Sequence, residues 1–154
     1  MEKKIEKIKQ FRLFLLNQVE ALTAGQFNAI PEGYNNNIIW NVGHLISAQQ
    51  NMCYVKAGLP VVVPDSLFNA YLSGTRPGAF VDEAAIAGIK ELLISTIDQL
   101  QADYDKKIFT NYIPSEAILK VYGFEVKNID DALEYLLYHD GLHSGYITAL
   151  KRLL

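Results

Sequence analysis

Apolar residues return every three or four positions along four long segments of the chain, and glycine, proline and asparagine punctuate the stretches between them. In the first segment Ile5, Ile8, Phe11, Leu15, Val19 and Leu22 form one stripe, which predicts a helix from about residue 3 to residue 23, ended by Gly25 and followed by Pro31. The second begins after "PEGYNNN", where Asn36 or Asn37 can cap it, and runs to Gly58-Leu59-Pro60. The third starts at Asp82 as its cap and carries Ile86, Ile89, Leu93, Ile97 and Leu100 to about Lys106. The fourth begins at Asn128 or Asp130 and runs to Leu154, with Leu133, Leu136, Leu137, Ile147 and Leu150 on its buried side. Two irregular connections join these segments. "LPVVVPDSLFNAYLSGTRPGAFV" is broken by prolines and glycines, so "PVVVP" makes at most an edge strand. At about 22 residues it exceeds the usual connection, so it either crosses the length of a bundle or performs a function. "IFTNYIPSEAILKVYGFEVKNID" predicts a surface-covering segment with one short helix. The expected fold is all-α, a four-helix bundle with two long irregular connections.

Length and charge narrow the class of protein. The 154 residues fit one domain, residues 1–154, large enough to bury roughly two thirds of the unfolded surface, so neither metal nor disulfide is needed for folding. A net charge of -3 supplies no basic footprint for nucleic acid. No apolar run approaches the ~18 residues that span a bilayer. The N-terminal "MEKKIEKIKQFRLFLLNQVEAL" interleaves charges with its apolar residues and reads as a helix rather than a signal peptide. A single cysteine, Cys53, excludes an internal disulfide framework and suits a reducing compartment, so a cytoplasmic protein with a buried thiol is expected.

The chain has three histidines, and two of them, His139 and His143, stand four residues apart in "YLLYHDGLHSGYITALKRLL". On a helix that spacing places two imidazoles side by side, about 6 Å apart in height, on the face that also carries Ala132, Leu136, Ile147, Leu150 and Leu154. The pair therefore looks inward. His44 lies about two turns into the second helix, in "NNNIIWNVGHLISAQQN", with Trp40, Asn41, Ser47 and Ala48 around it and Gly43 allowing another backbone to approach. If the second and fourth helices adjoin, the three imidazoles form an open three-histidine site of the catalytic zinc type. The alternative is three core histidines satisfied by hydrogen bonds. A zincin would carry glutamate after the first histidine, whereas this chain has Asp140, which points about 100° away from His139 and is either a solvated charge or an outer partner. Asn41, Ser47 and Asn51 are neutral candidates near the site, and Tyr122 and Phe124 can line a pocket or simply pack on the bundle.

The stretch "NNIIWNVGHL", taken with "YLLYHDGLHSGYITALKRLL", resembles the DinB-like superfamily, which includes the YfiT-like metal-dependent hydrolases. The likeness extends over the length of the chain, the order of its elements and the placing of its irregular segments. It implies a bundle of up-down-down-up course in which His44, His139 and His143 bind a divalent metal, zinc or nickel above all, often in a homodimer. Characterised members of the family include bacillithiol and glutathione transferases and a mycothiol-dependent maleylpyruvate isomerase, in which the metal activates a low-molecular-weight thiol. The resemblance thus implies a small-molecule substrate and a hydrolase or thiol S-transferase type of reaction. Nucleic acid and membrane are not expected partners. With only Arg12, Arg76 and Arg152, no arginine cluster stands among the motif residues to grip an anionic thiol. A non-catalytic metal or small-ligand binding protein, and a structural dimeric bundle with core histidines, remain the competing readings.

Overall fold

The computed structural model describes residues 2–154, among which every regular element is helical and no strand occurs. Helix α1 spans Glu2–Val19, α2 Ala24–Asn28, α3 Ile38–Gln49, α4 Asp65–Ala70, α5 Glu83–Asp105, α6 Glu116–Tyr122 and α7 Ile129–Lys151. The start signals predict the long helices well. Asn37, Asp82 and Asn128 each accept a backbone N–H three residues on, at the head of α3, α5 and α7. The ends are less regular. The first helix stops at Val19 rather than near residue 23, because Thr23 opens α2 with a reciprocal capping box to Gln26, and Gly25 falls inside that short helix. Beyond Gln49, α3 widens into a π turn over Gln50–Tyr54, tightens into a 3₁₀ turn over Val55–Ala57 and ends on Gly58 in the left-handed conformation. "PVVVP" forms no strand, and the connection that holds it contains α4. Helix α7 ends at Lys151, short of Leu154, which is exposed.

Helix α1 packs on α5 and α7, and α3 packs on the same two. The side chains buried between them fall into two apolar clusters. One gathers Leu15 and Val19 of α1, Ile38 to Ile46 of α3, Ile86, Ile89 and Leu93 of α5, and Ile147 and Leu150 of α7. The other gathers Ile5 and Ile8, Cys53 and Tyr54, Ile97 and Leu100, and Leu133 and Leu136. Burying an aliphatic side chain of this kind stabilises the fold by about 1.5–3 kcal/mol, so these layers hold the helices together. Along each long helix the residues between the two clusters are polar and buried: Arg12 in α1, Gln49 in α3, Thr96 in α5, and His139 and Asp140 in α7. Between the four long helices the core is therefore two apolar clusters separated by a polar layer, and a third cluster of Met52, Ile118, Val126, Ala132 and Tyr135 lies where α6 packs on α7. No helix of the described residues is long and apolar enough to cross a membrane.

One correction to the expected stripe on α1 leads into that layer. Phe11 is only half-buried, and the buried sequence runs Ile5, Ile8, Arg12, Leu15, Val19. Arg12 is fully buried because all its reach is absorbed by acceptors. Its Nε–H donates to Asp140 Oδ2 at 2.8 Å, and its terminal nitrogens donate to Gln49 Oε1 at 2.7 Å, the Leu45 carbonyl at 3.1 Å and the Leu93 carbonyl at 3.3 Å. A single guanidinium thus ties α1 to α3, α5 and α7.

Candidate metal centre

His44 comes from the middle of α3, and His139 and His143 from successive turns of α7. The packing of α3 on α7 brings their rings together, with centroids 5.1 Å apart for His44 and His139, 4.7 Å for His44 and His143, and 4.5 Å for His139 and His143. One ligand nitrogen from each lies within 4.8 Å of the other two. His44 Nε2 and His139 Nε2 face each other at 3.3 Å.

The hydrogen bonds on the far side of the rings fix which nitrogens face inward. His44 Nδ1 lies 2.8 Å from the Tyr71 carbonyl, which can only accept, so Nδ1 carries the proton and Nε2 presents a lone pair. His143 Nδ1 lies 2.8 Å from Asn41 Oδ1. The orientation of that amide is set by Asn41 Nδ2, which donates to the Asn37 carbonyl at 2.7 Å, so His143 Nδ1 is also the protonated nitrogen. Both rings are held as metal-binding histidines are held, with the outer nitrogen donating and the inner one bare. A tetrahedral ion with nitrogens at about 2.0–2.1 Å sets its ligands about 3.3 Å apart. The observed Nε2 to Nε2 distance and the two bare inner nitrogens fit a divalent cation.

Burial drives both rings toward neutrality. Desolvation, partly offset by the Tyr71 carbonyl, lowers the pKa of His44 to about 4, and desolvation with the two neighbouring histidines lowers that of His143 to about 3. At pH 7 both are in the neutral form that binds metal. The sign of the pH effect follows. Below the ordinary histidine value of 6.5 the unfolded chain takes up protons that the folded site refuses. Metal-free protein is therefore expected to keep constant stability from this source above about pH 7 and to lose it progressively from pH 6.5 toward pH 4, by on the order of 3 kcal/mol for His44 alone. Urea titrations across that range check it.

The long connection between α3 and α5 serves this site. Trp40, His44 and Ser47 share one face of α3 and each is bolted to the connection. Trp40 Nε1–H donates to Thr75 Oγ1 at 3.0 Å, Ser47 donates to the Phe68 carbonyl at 3.1 Å, and His44 meets Tyr71. Trp40 also stacks on His44, 4.7 Å between centroids and 9° between planes. Gly43 permits a close approach, though by a ring rather than a backbone: a Cβ there would lie 2.6 Å from the Tyr71 ring. Gly43→Ala is expected to push Tyr71 away, weaken its hold on His44, and lower stability by about 1–3 kcal/mol, as read by denaturant unfolding.

Of the other residues singled out in the sequence, Asp140 is neither solvated nor turned away. It is fully buried, with Oδ2 on Arg12 and Oδ1 3.9 Å from His139 Nδ1. Burial is the largest influence and raises its carboxyl, but the charge and hydrogen bond of Arg12 together with the neighbouring His139 hold it below the usual value. Asn51 sits in the π turn beyond the end of α3 and makes no hydrogen bond to the histidines among the described residues. Tyr122 stacks with Phe124 and meets Tyr135 and Tyr138, and only Tyr135 reaches His139, at 5.4 Å. A hollow of about 330 Å³, lined by Asn36, Asn41, Leu142, His143 and Tyr146, opens beside the cluster. Sequence reasoning missed Tyr71, which acts through its backbone, and Arg12, whose only signal was its place between Ile8 and Leu15 in the stripe.

Comparison with known families bears on this centre directly. The profile of the DinB superfamily matches residues 10–147. The chain belongs to the DinB superfamily. All three histidines lie within the DinB match, as do Arg12, Asn41, Tyr71 and Asp140. Among curated proteins, none matches this DinB-superfamily chain.

Proposed function

We propose that this chain is a divalent-metal-dependent enzyme of the DinB superfamily in which His44, His139 and His143 hold the ion, zinc or nickel, and a small molecule is the substrate. The observation that carries the reading is the convergence of three imidazoles, with the inner nitrogens of His44 and His139 3.3 Å apart and the outer nitrogens of His44 and His143 pinned. Purely structural histidines would pair donor with acceptor throughout, and here His139 Nδ1 lies buried with no partner among the described residues. An ion held there supplies Lewis acidity that brings the pKa of a water or a low-molecular-weight thiol toward neutrality. Three protein ligands leave room for such a group. Asn41 orients His143, Tyr71 and Trp40 orient His44, and Leu142 and Tyr146 give the adjoining hollow an apolar wall. Among the described residues no charged side chain lines that hollow, which suits an uncharged substrate.

The same proposal takes residues 1–154 as one domain and the four long helices as a bundle of up-down-down-up course. Cross-helix bonds support that course. Lys4 meets Glu134, and Lys151 meets the Gln18 carbonyl, so residue numbers rise together along α1 and α7. Lys9 meets Asp98 and Arg12 the Leu93 carbonyl, so they run opposite along α1 and α5. Gln49 meets Thr96 and Tyr54 meets Asp103, so they rise together from α3 to α5. The buried free thiol of Cys53 supports a reducing, cytoplasmic location. Turnover is tested with candidate thiols and electrophiles. Activity abolished by chelator and restored by one divalent ion supports the enzyme, whereas tight metal binding with no turnover on any of them favours a binding protein.

A further inference from the structure

His139 differs from its two neighbours in having no acceptor on its outer nitrogen. The nearest candidate is Asp140 Oδ1, 3.9 Å from Nδ1, and both atoms are buried without a hydrogen-bond partner among the described residues. Two unpartnered polar atoms side by side are rare in a protein core, where such atoms are normally satisfied. The inner nitrogen explains the arrangement. His44 Nε2 presents a lone pair, since its proton is on Nδ1. Across 3.3 Å, His139 Nε2 can meet that lone pair favourably only by carrying a proton itself. In the neutral ring the proton on Nε2 leaves Nδ1 bare, and a bare nitrogen repels the Asp140 carboxylate, as the 3.9 Å gap reflects.

We propose that His139 exchanges tautomer when the site takes up a metal, and that Asp140 is the positioning residue that captures the new donor. The inference rests on the metal reading above. A cation on the side that faces His44 is bound by a bare Nε2, so the ring proton leaves Nε2 and returns through solvent to Nδ1, with no net change in protons. Nδ1–H then points at Asp140 Oδ1, and a closure of about 1 Å makes a charge-assisted bond. Asp140 is ready for this role because Arg12 holds its other oxygen at 2.8 Å and keeps the carboxylate ionised. Arg12 also grips the carbonyl of Leu45, the residue after His44, just as it grips the residue after His139. One guanidinium thereby fixes the spacing of α3 and α7 at the level of the cluster.

Imidazole ¹H–¹⁵N correlation spectra of the full chain at about pH 8, where imidazole is neutral, test the exchange with zinc as probe. The expected metal-free ring of His139 is protonated on Nε2, and the expected zinc-loaded ring is protonated on Nδ1, with that proton protected from solvent exchange. A ring protonated on Nδ1 in both states, or zinc bound through Nδ1, would overturn the proposal while leaving the metal site intact. Failure to take up one zinc per chain contradicts the metal reading itself. Asp140→Asn should bind zinc 10–100-fold more weakly, and an unchanged affinity counts against Asp140. Should that variant not fold, the wild-type spectra still decide.

Discussion

Arg12→Met is expected to lower folding stability by about 3–5 kcal/mol, measured by urea unfolding of the metal-free protein at pH 7. The substitution leaves Asp140 as a buried anion with no cation and removes the donor shared by Gln49 Oε1 and the Leu45 and Leu93 carbonyls. A buried ion pair adds little net stability over apolar residues of like volume, but breaking it from one side exposes the full desolvation penalty of the survivor. The double variant Arg12→Met with Asp140→Leu should therefore recover most of the loss. Its metal affinity should stay low, because the acceptor for His139 is gone. A single-variant loss below 1 kcal/mol would show that the polar layer does not depend on Arg12.

The second large effect concerns the ligands. His143→Ala should abolish stoichiometric metal binding, a loss exceeding the 10–100-fold expected for an outer partner such as Asn41. The lever is geometric. With His143 gone, two nitrogens 3.3 Å apart remain, and the Asn41 amide loses the proton it accepts. A histidine that merely filled space would change stability and leave metal content untouched, so metal content and unfolding are to be measured on the same sample. Retention of one metal ion per chain by His143→Ala would remove this residue from the centre.

Much of this was legible before any coordinates. Asn37, Asp82 and Asn128 announce three helix starts because capping is a local interaction, decided within three residues. The four-residue spacing of His139 and His143 put both on one face for the same reason. What the sequence could not yield is non-local. Whether His44 meets the pair depends on α3 packing against α7, for which the motif resemblance was the better guide. The expected stripe took Phe11 and passed over Arg12, whose four acceptors come from three other helices. Tyr71 was invisible because its contribution is a carbonyl, which every residue carries. Asn51 misled in the opposite way. Its position presumed regular α geometry, and the π turn that begins at Gln50 shifts the phase of everything after it.

The most direct test of the central claim is X-ray absorption at the metal edge of protein prepared without an affinity tag and loaded with zinc, alongside its metal content. The account predicts one ion per chain with three imidazole nitrogens at about 2.0–2.1 Å and a remaining position taken by a lighter donor. A chain that holds no stoichiometric metal and keeps its full stability in chelator, or an ion bound by fewer than three imidazoles, would contradict it.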